Sequence, residues 1–144
     1  MRAAYYTRRG PAREVLQVGE VDDPRPQADE VRVRVLASGV NPSDWKSRSG
    51  LTTSAPVDGM VIPHSDGAGV VETVGAGVDP RRIGERVWLW NAQWQRSRGT
   101  AAEFVTLPAR QAVTLPAGVD FEVGACLGIP AMTALQAVRL AAVA

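Results

Sequence analysis

The chain has 144 residues, 45% of them apolar and 22% charged. That ordinary globular usage excludes a disordered tail, a collagen-like chain and a disulfide scaffold. Sixteen basic residues against fifteen acidic leave a net charge of +1 with the signs interspersed, so no basic face is set aside for a phosphate backbone and nucleic acid is not an expected partner.

One domain is the expectation at this length. Met1 to Tyr6 reads as a first strand and Leu16 to Val21 as a second, ended by Asp22-Asp23-Pro24-Arg25-Pro26. Val31-Arg32-Val33-Arg34-Val35-Leu36-Ala37 alternates apolar and charged residues, the period of a strand with one wet face. Asn41-Pro42-Ser43-Asp44 then opens a short helix. Proline at the first helical position is pre-set for helical φ, Asn41 is placed to cap the free N–H groups, and Gly50 is placed to stop the helix.

Further strands are expected over Gly67 to Val74, Glu85 to Trp90 and Ala101 to Leu107, with Pro108 and Pro116 punctuating the exit. After Asp120 the pattern changes to helical spacing, over Phe121 to Leu127 and Ala131 to Ala144, with Met132, Leu135, Val138 and Leu140 on roughly one face. Strands come first and helices last, which argues for a mainly β, antiparallel, partly open barrel-like domain rather than an alternating parallel sheet. The last helix has no Gly or polar cap after Ala144, so a chain cut within that helix is expected. No apolar stretch has the make-up of a signal peptide or a membrane span, and a soluble cytoplasmic protein is the expectation.

Few residues carry chemistry. Gly67-Ala68-Gly69 and Gly75-Ala76-Gly77 lack the third glycine of a dinucleotide fingerprint, Glu72 and Pro80 standing in its place, and neither run opens a helix. They read as glycines for turns and close strand packing. His64 and Cys126 are the only histidine and cysteine, too few for a catalytic zinc with three protein ligands. His64, beside Pro63, reads as a loop residue bonded to a neighbour. Cys126 reads as inert packing in an apolar helix. No Ser lies in Gly-x-Ser-x-Gly.

There remain Asn41-Pro42-Ser43-Asp44-Trp45, polar residues at a strand end that face a cleft or merely cap a helix. Trp88 and Trp90 share one strand face, read as core. Trp94 lies in a polar loop, where it rims a planar-ligand site or an interface.

Seven segments carry a resemblance by their shared order. They are Ala37 to Asp44, Arg48-Ser49-Gly50, Asp66 to Val71, Val74 to Val78, Gly84 to Val87, Leu115 to Val119 and Pro130 to Ala134. Together they resemble the N-terminal GroES-like domain of the medium-chain dehydrogenase/reductase superfamily, and within it the zinc-free, zeta-crystallin-like quinone oxidoreductase branch. The resemblance covers nearly the whole of 1–144, with hinge helices over about 121–144.

It implies the substrate-side half of an NADPH-dependent quinone or enone reductase. A Rossmann cofactor domain, absent from this chain, would bind most of the NADPH. It also implies a homodimeric full-length protein and little activity in the isolated domain. Asn41 matches the position of a zinc-ligating cysteine in the zinc enzymes, Ser65 that of the second ligand and Asp66 the acidic position after it, which implies that no zinc is bound. By the same resemblance Asn41 and Asp44 lie in the catalytic cleft, and Asn41 and Thr133 approach the nicotinamide. Tyrosines common among relatives are replaced here by Lys46 and Thr52, which leaves Trp45 and Trp94 as the aromatic candidates to shape the cleft. A non-catalytic GroES-like module is the alternative reading, and a zinc alcohol dehydrogenase a third.

Overall fold

The structure, a computed structural model, describes residues 1–52 and 57–142. Its elements in chain order are β1 (Arg2–Tyr5), α1 (Ala12–Val15), β2 (Gln17–Glu20), β3 (Glu30–Gly39), α2 (Pro42–Ser49), β4 (Asp66–Val74), β5 (Arg86–Leu89), β6 (Phe104–Pro108), β7 (Ala112–Thr114), α3 (Phe121–Gly124) and α4 (Ile129–Ala141). Short 3-10 turns at Pro80–Arg82 and Ala109–Gln111 complete it.

β1 and β2 pair antiparallel. The other five strands form one antiparallel sheet in the order β6-β3-β4-β5-β7. The fold is mainly β with helices gathered at the end, as the sequence pattern indicates, but both sheets stay open rather than closing into a barrel. The expected helix over 131–144 starts two residues earlier and is described to Ala141; residues 143–144 lie outside the described residues. The helix expected over 121–127 is a single turn followed by turns.

β3 lies between β6 and the central strand β4, and its Val/Arg alternation sets the two faces. Val31 and Val33 are fully buried and join Val71, Val87, Leu89, Val105 and Leu107 in the core, while Arg34 is exposed. Seven side chains of this kind each contribute about 1.5–3 kcal/mol on burial, so the fold is held chiefly here. The strands also approach closely at Gly69, where an added Cβ would sit 2.0 Å from the Arg34 carbonyl oxygen. The glycines of 67–69 therefore serve strand packing.

β5 corrects one expectation. Its core-facing residues are Val87 and Leu89, so Trp88 and Trp90 share the opposite, half-buried face. The edge is closed by arginines. Arg82 donates to the carbonyls of Ala109 and Ala112 at 2.8 and 2.6 Å. Arg86 donates to the Ala117 carbonyl at 2.9 Å and lies 4.4 Å from the Phe121 ring centre.

α3 packs on β3, β4 and β5. α4 does not: Met132, Leu135, Val138 and Leu140 are 53–66% exposed along it. Cys126 lies in the turn between the two helices and is exposed, not packed in a helix as expected. No helix among the described residues is long and apolar enough to cross a membrane.

Candidate active-site cleft at the end of the β3–β4 ladder

Asn41, Asp44 and Asp66 gather where β3 ends and β4 begins. Gly39 pairs with Asp66 there, and the chain turns straight into α2. Asn41 is the residue before the helix, Pro42 the first within it, and Gly50 ends it with φ 91°, a left-handed value that favours glycine. The Asn41 N–H donates to Asp44 Oδ2 at 2.7 Å, and the Asp44 N–H donates back to the Asn41 carbonyl at 3.0 Å. The helix cap expected from the sequence thus forms in part through Asp44.

The Asn41 side chain makes a second, longer-range tie. Its Nδ2 donates to Asp66 Oδ2 at 2.9 Å, and the same oxygen accepts the Ile129 N–H of α4 at 2.8 Å. Asp66 therefore joins the start of α2 to the start of α4. It is fully buried, and Oδ1 has no hydrogen-bond partner among the described residues. That oxygen fills the space a side chain at residue 128 would need: a Cβ added to Gly128 would lie 2.1 Å from it. A short relay completes the layer: His64 Nδ1 lies 2.9 Å from Ser38 Oγ, Ser38 Oγ lies 2.9 Å from Thr100 Oγ1, and Thr100 Oγ1 donates to the Asp66 carbonyl at 2.5 Å. His64 is bonded to a neighbour, as expected.

The electrostatics follow from burial. Desolvation pushes the Asp66 carboxyl above its ordinary value; the Asn41 amide and the Ile129 N–H work against that rise and the Asp44 charge adds to it. Asp44 is raised for the same reason, opposed by the Asn41 N–H and by His64. Burial lowers His64, with Asp44 opposing. Two buried carboxyls and a neutral-leaning imidazole thus share one network.

Above this layer lies a cleft of about 660 Å³ whose lining includes Asp44, Ser47, Ser65, Trp94 and Ile129. A second groove, of about 540 Å³, is lined by Trp90, Met132, Thr133 and Leu140 and shares Asn91 and Ile129 with the cleft. Asp44 and Thr133 therefore open onto adjoining spaces. Asn41, 4% exposed, sits in the layer beneath. Trp94 is in the cleft wall; Trp45 is not among the lining residues. Among the described residues no cluster of three or more His, Cys, Asp and Glu is arranged to hold a metal ion.

Asp66 is the residue that sequence reasoning passes over as a site member. Its only signal is the match, implied by the resemblance, to the acidic position that follows a zinc ligand in the zinc enzymes. A buried carboxylate shared by two elements cannot be read from one acidic residue between Ser65 and Gly67.

Comparison with known proteins identifies the fold. The quinone oxidoreductase of Rattus norvegicus is 38% identical over 125 residues, which cover 86% of this chain and 36% of that protein. The quinone oxidoreductase of Pseudomonas syringae pv. tomato DC3000 superposes with a TM-score of 0.84 at 31% identity, over 96% of this chain and 40% of that one. The Escherichia coli quinone oxidoreductase complexed with NADPH superposes with a TM-score of 0.76 at 28% identity, over 88% and 36%. The chain thus spans well under half the length of these relatives. The model of the alcohol dehydrogenase GroES-like domain matches residues 27–117, and the chain belongs to that family, within the medium-chain dehydrogenase/reductase superfamily and similar to its quinone oxidoreductases.

Proposed function

We propose that this chain is the substrate-side domain of an NADPH-dependent quinone or enone oxidoreductase that works without zinc. The observation that carries the reading is the junction of two spaces through Asn91 and Ile129, one lined by Asp44 and the other by Thr133. A planar ring in the Thr133 groove would abut a substrate in the Asp44 cleft.

The residues fit a nicotinamide at that junction. The groove is largely apolar, with Trp90, Met132 and Leu140 beside the Thr133 hydroxyl, the mix that holds an uncharged ring and fixes its orientation. When bound, NADPH supplies the hydride. The chain's own residues position and polarise. Hydroxyls of Ser43, Ser47 and Ser65 line the cleft and can donate to the carbonyl oxygen as it gains charge, and solvent supplies the proton that completes the hydroquinone or enol. A donor aimed at such charge is typically worth about 2.7–4 kcal/mol.

Asp44 holds the Asn41 N–H, and Asn41 holds Asp66. In this reading Asn41 and Asp44 keep the cleft floor in register with α4, and so with Thr133. The zinc-free assignment is supported by the donor set: at the position of a thiolate ligand stands an amide already bonded to Asp66. A cytoplasmic location and a homodimeric full-length protein belong to the same reading.

The test is to assay the full-length protein with NADPH and a quinone and to measure its metal content. NADPH oxidation that persists after chelation, in protein without stoichiometric zinc, is the expected result. Activity lost with removal of bound zinc would make it a zinc alcohol dehydrogenase. Failure to bind or oxidise NADPH would leave a non-catalytic module.

A further inference from the structure

One wall of the cleft is not explained by the buried network. It is the loop 91–97, from which Trp94 projects with 66% of its surface exposed. A large ring left in water forgoes its burial energy, and here looseness is not the cause. Ala92 is fully buried, and its N–H donates to the Ser65 carbonyl at 2.9 Å. The Ser97 carbonyl accepts from the Ile62 N–H at 2.8 Å. Gln111 Nε2 donates to the carbonyls of Trp90 and Asn91 at 3.0 and 3.2 Å.

Between these fastenings Asn91 and Gln95 both take left-handed backbone angles, φ 51° and 56°, and the Trp94 N–H closes a turn onto the Asn91 carbonyl at 3.1 Å. Such angles are costly outside glycine and persist only where the surroundings hold them. The indole stands on a braced turn and lines the same cleft as Asp44.

The charge of the cleft narrows what the indole can receive. Asp44 and Arg96 are the ionisable groups among its described lining residues. Arg96 is engaged elsewhere, its Nη1 lying 3.4 Å from the Thr106 carbonyl and 3.6 Å from Glu30 Oε1. The cleft therefore offers hydroxyls, side-chain amides, an aromatic face and one carboxyl balanced by one partly engaged guanidinium, a near-neutral setting that suits a neutral ring.

We infer that Trp94 is a specificity-determining residue, a fixed stacking wall that selects planar, neutral, fused-ring quinones over acyclic enones. This rests on the proposed oxidoreductase reading and narrows its substrate class. An electron-poor quinone ring stacks on an indole with offset geometry, whereas an acyclic enone presents no comparable face. A cleft of about 660 Å³ is wide enough for two fused rings.

The experiment compares Trp94→Ala and Trp94→Phe with the unsubstituted full-length protein, using NADPH with a 1,4-naphthoquinone and with an acyclic enone. In Trp94→Ala the ratio of the two kcat/KM values is expected to fall about fivefold or more in the naphthoquinone's disfavour, chiefly through KM, the scale of an aromatic pair. Trp94→Phe is expected to restore most of the ratio, and a sulfonated naphthoquinone to be a poorer substrate than its parent. Equal losses for both substrates, or an unchanged ratio, would overturn the inference while leaving the oxidoreductase reading intact. An unsubstituted protein that reduces neither substrate would overturn both.

Discussion

The two ends of the β3–β4 ladder are equally dry and chemically opposite. At one end the inward-facing Val31, Val33 and Val71, with Val105 and Leu107 of β6, are at most 1% exposed and all apolar. At the other, Asn41, Ser65, Asp66 and Thr100 are 0–9% exposed and wholly polar. Apolar burial adds stability without direction, roughly in proportion to area. Buried hydrogen bonds add little net stability but are costly to leave unmade, so they fix orientation. The first end therefore holds the fold together and the second holds the cleft in shape.

The sharpest way to break that division is Leu107→Ala in the apolar half, where Leu107 pairs with Val31. Leu107 is fully buried, and a loss of about 2–5 kcal/mol is expected from lost transfer energy and the cavity left behind. Denaturant unfolding would read it as a lowered midpoint. A loss below about 1 kcal/mol would mean that the core sits elsewhere.

Next in size is Asn41→Ala at the polar end. It strips Asp66 Oδ2 of one donor, and a stability loss of about 1–3 kcal/mol is expected for the group left short of partners. In the full-length protein kcat/KM for a quinone should fall about tenfold or more. Unchanged steady-state kinetics would remove Asn41 from the site.

The smallest effect, and the most specific, is the pH dependence of Asp66→Asn. The native carboxyl titrates above 3.8 because burial disfavours its charge. The folded state then holds the proton more tightly than the unfolded one, so Asp66's contribution to stability is fully present below 3.8 and is lost as pH rises through the raised native value. The amide removes this titration and keeps an acceptor for Asn41 and Ile129. Its stability should decline less than that of the unsubstituted chain over the pH range above 3.8, with part of the slope remaining from Asp44, which is raised too. Parallel stability curves from thermal unfolding across that range would contradict the assignment.

Much of the apolar half is legible in the sequence, because β3 announces itself by alternation. Period 2 gives two faces but not which one is inside: Trp88 and Trp90 look like core by size, yet the smaller Val87 and Leu89 fill the space under the sheet. The three-residue β7 and the single turn of α1 are too short to show any period. Asn41 and Asp44 stand out by their place at a strand end before a proline-led helix. Asp66 does not, because its role depends on α4 arriving 63 residues later to donate an N–H. Cys126 looks helical because apolar neighbours continue past Gly124, whereas the helix ends there.

The meeting of Asp66 with Gly128 sets a clearance at the root of α4. An added methyl at residue 128 would come 2.1 Å from Asp66 Oδ1 and 2.6 Å from its Cγ. The summed bulk of positions 66 and 128 is thus a shim that fixes how far the helix stands from the sheet. Widening it at 128 alone would lever Thr133 away from Asp44, and only a matching reduction at 66 would let the helix settle back.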